Sequence, residues 1–491
     1  FDGSQPGNDT RALTRTTATY TLGGDAKVFW TSADKIFVQD DANTFHQSGA
    51  ANLYNPSNKA KATFSLASGS FTLNNREVRY TGENGTDANT VTIASTQTQT
   101  TANDFSHLGT SGDCGTATAT GSNGNYTFTL NHKASYLCFV PRCMNADLGP
   151  NIKLTKIKVT ADQPIAGKYD FSTGSLIQKT GETYSNTITL NTSNFSLNTT
   201  TSSLATNGAY MVIKPGTHTL KVRYWVKDLA TYMEGTITKI YPSTAYASNT
   251  YYDMTANLNV RDYDGDHYYM WDAQQQYWYG YEWTKHLPGN TGQPTISQGL
   301  PGAKTSSNYA QSNTDPRYWN ESYPGYRISN PATHSCATLP NANEMSWYCM
   351  YGDPRWDADE LWTTMGHLYQ GGMWFKKKSV LQAEHHYDTE KSADGSTDMR
   401  TTDKYYYNNN SSINNSGRPS AADAGNYFYL PALGCYEDGR LKYVGSGGYY
   451  WSSSAYPENS YTAYDLRFDS GNVEVYHWSG RYNAFRVGAF E

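Results

Sequence analysis

Two short stretches decide the fold class: KLTKIKVT, from Lys153 to Thr160, and TLKVRYWV, from Thr219 to Val226. In each, apolar and polar residues alternate, so one row of side chains faces a core and the other faces water. Clusters of Gly, Asn and Ser separate such stretches, as turns separate the short strands of a β-sandwich. The reading that grows from them is a mainly β chain.

Composition agrees. Among 491 residues, 38 Lys and Arg face 44 Asp and Glu, and the net charge of -6 gives a polyanion no general reason to bind. Nucleic acid is therefore not an expected partner. Charged residues are 17%, below the roughly 25% of average domains, while Tyr and Gly reach 42 each, the balance of a β-rich extracellular protein. The length predicts two to four domains. No apolar run approaches the ~18 residues of a membrane helix. Phe1 is not a start methionine, which suggests a processed chain whose secretion signal has been removed. Cys114, Cys138, Cys143, Cys336, Cys349 and Cys435 lack zinc or redox spacing and are expected to be mostly reduced.

Tryptophan divides the chain: Trp30 and Trp225 alone precede residue 256. A further division is expected near Asp170 to Thr180, where FSTGSLIQKTG supplies turn residues. The second half predicts helices as well as strands. Asn341 with Glu344 fits a capping box, with Met345, Tyr348 and Cys349 on one face. From Asp353 onward a second helix is expected, with Pro354 at its first position, Leu361, Met365 and Leu368 as its stripe and Gly371-Gly372 as its stop. Asp353, Asp357 and Glu360 would then favour its positive end. Residues 284–325 and 384–426 read as long polar surface loops.

Two resemblances emerge along the chain. The first half resembles the Bacteroidales fimbrillins, pilins of type V fimbriae, through RTTATY at 15–20, WTSADKIFV from Trp30, NHKASYLCFVPR at 131–142, LTKIKVTADQPIAGKYDF at 154–171 and YMVIKPGTHTLKVRYWV at 210–226. The second half resembles the C-type-lectin-like Fibrobacter succinogenes major paralogous domain. The segments are YYMWDAQQQYWYGYEW at 268–283, NEMSWYCMYGDPRWDADELWTTMGHLYQGGMWFKKK at 343–378, and the run from Tyr427 to Val475. The resemblance implies two transthyretin-like β-sandwiches, at 1–172 and 173–260, followed by an α+β lectin-like domain at 261–491. It also implies a fimbrial tip or accessory subunit that reaches the cell surface by way of the outer membrane as a lipoprotein precursor. Family members are cut at an Arg near the N-terminus, which releases the first strand and admits a donor strand from a neighbouring stalk subunit; Arg11 and Arg15 match by position. Membrane attachment is implied only through precursor lipidation. More than 200 residues follow the second sandwich, where stalk pilins end, which suits a tip.

For the terminal domain, loop residues alternating aromatic and polar character are the candidate contacts for a surface glycan or protein: Tyr456, Glu458, Asn459, Tyr461, Tyr476, His477, Trp478, Arg481 and Tyr482. The same residues can be structural. Tyr268, Tyr269, Trp271, Tyr277, Trp278, Tyr279, Tyr281 and Trp283 could form a sugar platform, but read better as a hairpin filling the core. Asp262, Asp264 and Asp266 lack the spacing of a calcium loop and read as a solvated turn; no metal or cofactor is expected. Trp451 with Ser452, Ser453 and Ser454 reads as a core element, and Glu384, His385 and His386 as an exposed cluster. No serine-hydrolase, zinc-protease or nucleotide-binding motif occurs, so no catalytic residue is assigned. The competing readings are an unpolymerised glycan-binding surface lipoprotein and an accessory of a carbohydrate-active enzyme.

Overall fold

The computed structural model describes residues 1–4, 19–23, 26–27, 30–55, 58–280, 309–409, 413–414, 416–488 and 490. They are mainly β. The chain divides into two compact units, Phe1–Lys227 with Thr236–Asn259, and Asp228–Gly235 with Val260–Glu491.

Within the first unit, Ile152–Ala161 and residues 216–227 of the strand Gly216–Asp228 are neighbours in one five-stranded sheet. Leu220, Val222, Tyr224 and Val226 are fully buried, while Lys221 and Arg223 between them are exposed. In the companion strand Leu154, Ile157 and Val159 face inward, with two residues instead of one between the first two. The change of face coincides with a register shift between Leu154 and Lys156, where one residue of this strand stands opposite three of its partner, between the pairs Leu154–Phe195 and Lys156–Asn191. A three-stranded sheet of Ala209–Ile213, Ser135–Arg142 and Thr250–Asn257 is linked to the five-stranded one by Gln97 and Gln99. Their amides donate to the Val212 and Gly208 carbonyls and accept from Val212 and Tyr210 N–H. Strands from both sides of residue 172 therefore share sheets, and backbone pairing runs across the turn-rich stretch expected to divide them.

This unit also holds a small three-stranded sheet, a two-stranded pair, and a nine-stranded sheet over a core of Trp30, Phe64, Tyr80, Tyr126 and Phe128. Its internal strand Asp2–Ser4 lies between Asn58–Thr63, antiparallel, and Asn125–Thr129, parallel.

The second unit has a four-stranded and an eight-stranded sheet. Helix Ala342–Tyr351 has the expected start: the Asn341 side chain accepts from Glu344 N–H, and the Glu344 carboxylate accepts from Asn341 N–H. Met345, Tyr348 and Cys349 are buried beneath it.

The second expected helix is a β-hairpin. Arg355–Thr364 and His367–Lys376 pair antiparallel around Met365-Gly366, both at positive φ (49° and 78°), the geometry of a tight type I′ turn. Asp353 has φ 45°, which an N-cap cannot adopt, and its carboxylate accepts from Arg355 and the Tyr427 hydroxyl. Asp357 accepts from Asp359 and Glu360 N–H and from Trp374 Nε1, so it closes a bulge and caps no helix. The i, i+4, i+7 spacing of Leu361, Met365 and Leu368 is incidental; Trp, Thr and Tyr around a Met-Gly turn favour the strand. His367 Nδ1 lies 2.9 Å from the buried Asp228 carboxylate, which also accepts from Leu368 N–H.

The aromatic run begins as the strand Tyr268–Met270, paired with Ala484–Arg486, and continues in turns instead of a hairpin. Tyr268, Trp271, Tyr277 and Trp278 are core residues and Tyr279 is exposed; Tyr281 and Trp283 lie outside the described residues. Trp451 is fully buried and donates to the Tyr269 carbonyl, while the Ser452 hydroxyl accepts from Ser454 N–H and donates to the Ser454 carbonyl. The polar stretch 384–426 is not wholly a surface loop, since Met399 and Tyr406 enter the core. All six cysteines are buried and unbridged.

Replacing Asn341 by Ala removes one side of the capping box and should cost about 1 kcal/mol. Denaturant unfolding of wild type and variant measures it; an unchanged midpoint would mean the cap contributes nothing.

Candidate functional site

Each unit holds one candidate site. The first is the strand Asp2–Ser4. Its neighbours complete their hydrogen bonding through it: Phe64 N–H donates to the Phe1 carbonyl at 2.8 Å and Leu130 N–H to the Ser4 carbonyl at 3.2 Å. Trp30 Nε1 reaches the Gly3 carbonyl at 3.3 Å, and the Phe1 amino group donates to the Phe64 carbonyl at 3.1 Å. Phe1 stacks on Tyr126, centroids 4.4 Å apart. A Cβ on Gly3 would lie 2.6 Å from the Phe128 ring, so this crossing needs glycine for closeness. The segment Asp-Gly-Ser has almost no β propensity of its own; its conformation is imposed by the two neighbouring strands. Arg11 and Arg15 follow it in sequence and lie outside the described residues.

The second place is an aromatic surface of the second unit. Of the nine candidate contacts, four are integral to its support. Arg481 is fully buried, with its guanidinium 4.4 Å from the Trp271 ring centroid. It donates to the Thr462, Asn320 and Ser322 carbonyls and so ties the 320–322 segment to the sheet. Burial lowers its pKa to about 10. Tyr456 and His477 are buried against each other, ring centroids 5.0 Å apart. Asn459 accepts from Tyr461 N–H and sets the turn that presents that residue.

Asn459 is itself exposed, and the remaining five are exposed or half-buried. Trp478 and Tyr461 are each 62% exposed, and Tyr482 is exposed as well. Trp478 stacks on His477 with centroids 5.0 Å apart, so a buried ring holds an exposed one in place. Tyr461 lies against Trp319. Half-buried Tyr476 carries the Arg467 guanidinium 3.8 Å over its ring. Glu458 accepts from Arg327 Nε at 2.7 Å and from the Tyr326 hydroxyl at 3.1 Å, and Arg327 holds its carboxyl below the usual range.

Sequence reasoning missed Tyr323, Tyr326 and Ile328, all exposed. The 320–328 segment is fixed by Arg481, Glu458 and the bond from Arg327 N–H to the Pro457 carbonyl. The dense aromatic content of YPGYRI was the available signal, hidden because its partner residues come 130 positions later. Exposed rings on a rigid base can cover sugar C–H faces or apolar side chains.

Asp262, Asp264 and Asp266 are exposed, and Asp264 Oδ1 accepts from Asp266 N–H and lies 2.8 Å from His267 Nδ1. Among the described residues no three His, Cys, Asp or Glu side chains converge as a metal set. His386 stacks on Tyr351 and Glu384 pairs with Lys376.

No family model matches the chain, and no curated protein matches it. Among solved structures, a candidate cell adhesion protein of Bacteroides ovatus is 15% identical, covering 48% of this chain and 87% of its own, with a TM-score of 0.31. One from Bacteroides fragilis is 10% identical over 53% of this chain and 92% of its own, at 0.32. A fimbrial protein of Bacteroides ovatus is 13% identical over 94% of both chains, at 0.21.

Burial holds the His477 imidazole below its ordinary pKa, against the opposing pull of Asp403, whose carboxylate is 2.9 Å from Nδ1. Between that lowered value and the unfolded value of about 6.5, the unfolded chain binds more protons, so stability rises with pH and is lost on acidification through this window. His477→Gln should flatten the change in unfolding midpoint between about pH 7.5 and 5.5. His107 and His218, also lowered by burial, keep a residual slope; an unaltered slope would contradict this account.

Proposed function

We propose that this chain is a fimbrial tip or accessory subunit at the cell surface. In this reading it is exported as a lipoprotein precursor by way of the outer membrane and completed by donor-strand exchange with a stalk subunit. The observation that carries the proposal is the internal position of Asp2–Ser4 between Asn58–Thr63 and Asn125–Thr129, ahead of Arg11 and Arg15 in sequence. Cutting at either arginine would separate that strand covalently from the rest of the chain. Its departure would leave two strand edges with unpaired N–H and C=O groups over the Phe64 and Phe128 rings, and an extended segment from another subunit could satisfy both. The order of segments shared with the fimbrillins supports the same reading. In it the second unit is a terminal adhesive head, with the exposed rings of Tyr461 and Trp478 meeting the ligand. No catalytic role is proposed.

An Arg-specific protease should trim the purified chain near Arg11 or Arg15, and the cut form should then bind a peptide copying the terminal strand of a stalk pilin. Trimming without gain of binding would refute the proposal. Gly3→Val forces the Phe128 ring to move, at a cost of about 1–3 kcal/mol, and should speed peptide uptake after cutting. A double Trp478→Ala, Tyr461→Ala variant should lose binding to target cells while keeping the wild-type unfolding midpoint; undiminished adhesion would move the ligand elsewhere.

A further inference from the structure

A cleft of about 390 Å³ in the second unit is lined by residues other than the exposed rings Tyr461, Trp478 and Tyr482. Its volume falls in the range of small-molecule sites. Tyr263, Trp374, Tyr427 and Tyr429 line it with aromatic rings, and Arg261 and Arg486 line it with positive charge. These residues come from distant parts of the unit: the strand Arg261–Asp262 and the residue after it, the hairpin strand His367–Lys376, the sheet edge Tyr427–Pro431 and the strand Ala484–Arg486.

The polar groups are held ready and not fully used. Arg486 is largely buried; its Nη1 donates to the Asp264 carbonyl at 2.7 Å, and the Asp264 carboxylate stands off at 3.9 Å. Arg261 is exposed, with its guanidinium 4.7 Å from the Tyr263 centroid and no carboxylate within ion-pair distance among the described residues. The Tyr429 hydroxyl is buried without a hydrogen-bond partner, and its ring lies 5.0 Å from that of Trp374. The hydroxyl lies against Gly372, so the cleft meets Tyr429 through its ring. Nearby negative charge comes from Glu360 and Asp357: burial and Asp357 raise the Glu360 carboxyl, while Arg418 and Arg261 pull it down. Asp357 is already engaged with Trp374 Nε1.

Ring faces select a flat, partly apolar group, and the exposed Arg261 guanidinium selects an anion. We propose that this cleft binds a carboxylate-bearing sugar, a hexuronic acid unit of an acidic glycan. The sugar ring lies against the aromatic wall, with its carboxylate on Arg261 and Arg486. Guanidinium pairing with a carboxylate supplies the charge-assisted bonds, and ring stacking supplies the preference for a sugar over a bare anion.

The test is calorimetric titration of the full chain with D-glucuronate, D-glucose and acetate in parallel. Glucuronate should bind and the other two should be at least about tenfold weaker. Arg261→Gln, at an exposed position that leaves the fold intact, should weaken glucuronate about tenfold and leave the residual glucose affinity unchanged. Absence of glucuronate binding, or binding indifferent to Arg261→Gln, would overturn the proposal. Equal binding of acetate would reduce the cleft to a plain anion site and overturn it as well. Because the readout is the isolated chain, failure here is distinct from failure of strand exchange.

Discussion

The constraint on which the first unit depends is the hydrogen bonding of two strands that are not neighbours of each other. Asn58–Thr63 and Asn125–Thr129 meet only through the three residues Asp2–Ser4. Backbone groups over an apolar core must be paired, and here the pairing is supplied by a short segment near the start of the chain. The segment contributes little of its own: one glycine thin enough to pass over Phe128, and carbonyls that receive Trp30, Phe64 and Leu130. A strand that is necessary to the sheet yet weakly committed to it is the physical requirement for replacement by another.

In the second unit buried rings and one buried arginine do comparable work. Arg481 gives its Nε and Nη1 donors to main-chain carbonyls and its flat face to Trp271 and Trp319, which turns the 320–328 segment into a fixed ledge. His477, packed under Trp478, does the same for an exposed indole. Exposed aromatic groups with little freedom left to lose are suited to contact, because the entropy of ordering them is already spent in folding.

What the sequence disclosed depended on how local the cause was. The strands around Leu154 and Leu220 and the helix capped by Asn341 and Glu344 follow from neighbours within a few residues, and all formed. The hairpin at 355–376 escaped because its apolar spacing imitated a helix while the deciding feature was a two-residue turn at Met365-Gly366. Tyr456, His477 and Arg481 resemble contact residues in a list of types, and only the fold shows them beneath the surface they support. Asp2–Ser4 was illegible: Asp, Gly and Ser do not ask for a strand, and residues 60 and 125 positions away impose one.

The most direct test of the central claim is backbone hydrogen exchange at Phe64 and Leu130, whose N–H groups are bonded to Phe1 and Ser4. After Arg-specific cutting and removal of the released peptide, their protection should fall, and a donor peptide should restore it, while the Gly216–Asp228 strand stays protected throughout. Protection that survives loss of the first strand, or deprotection spreading through the whole unit, would contradict the account.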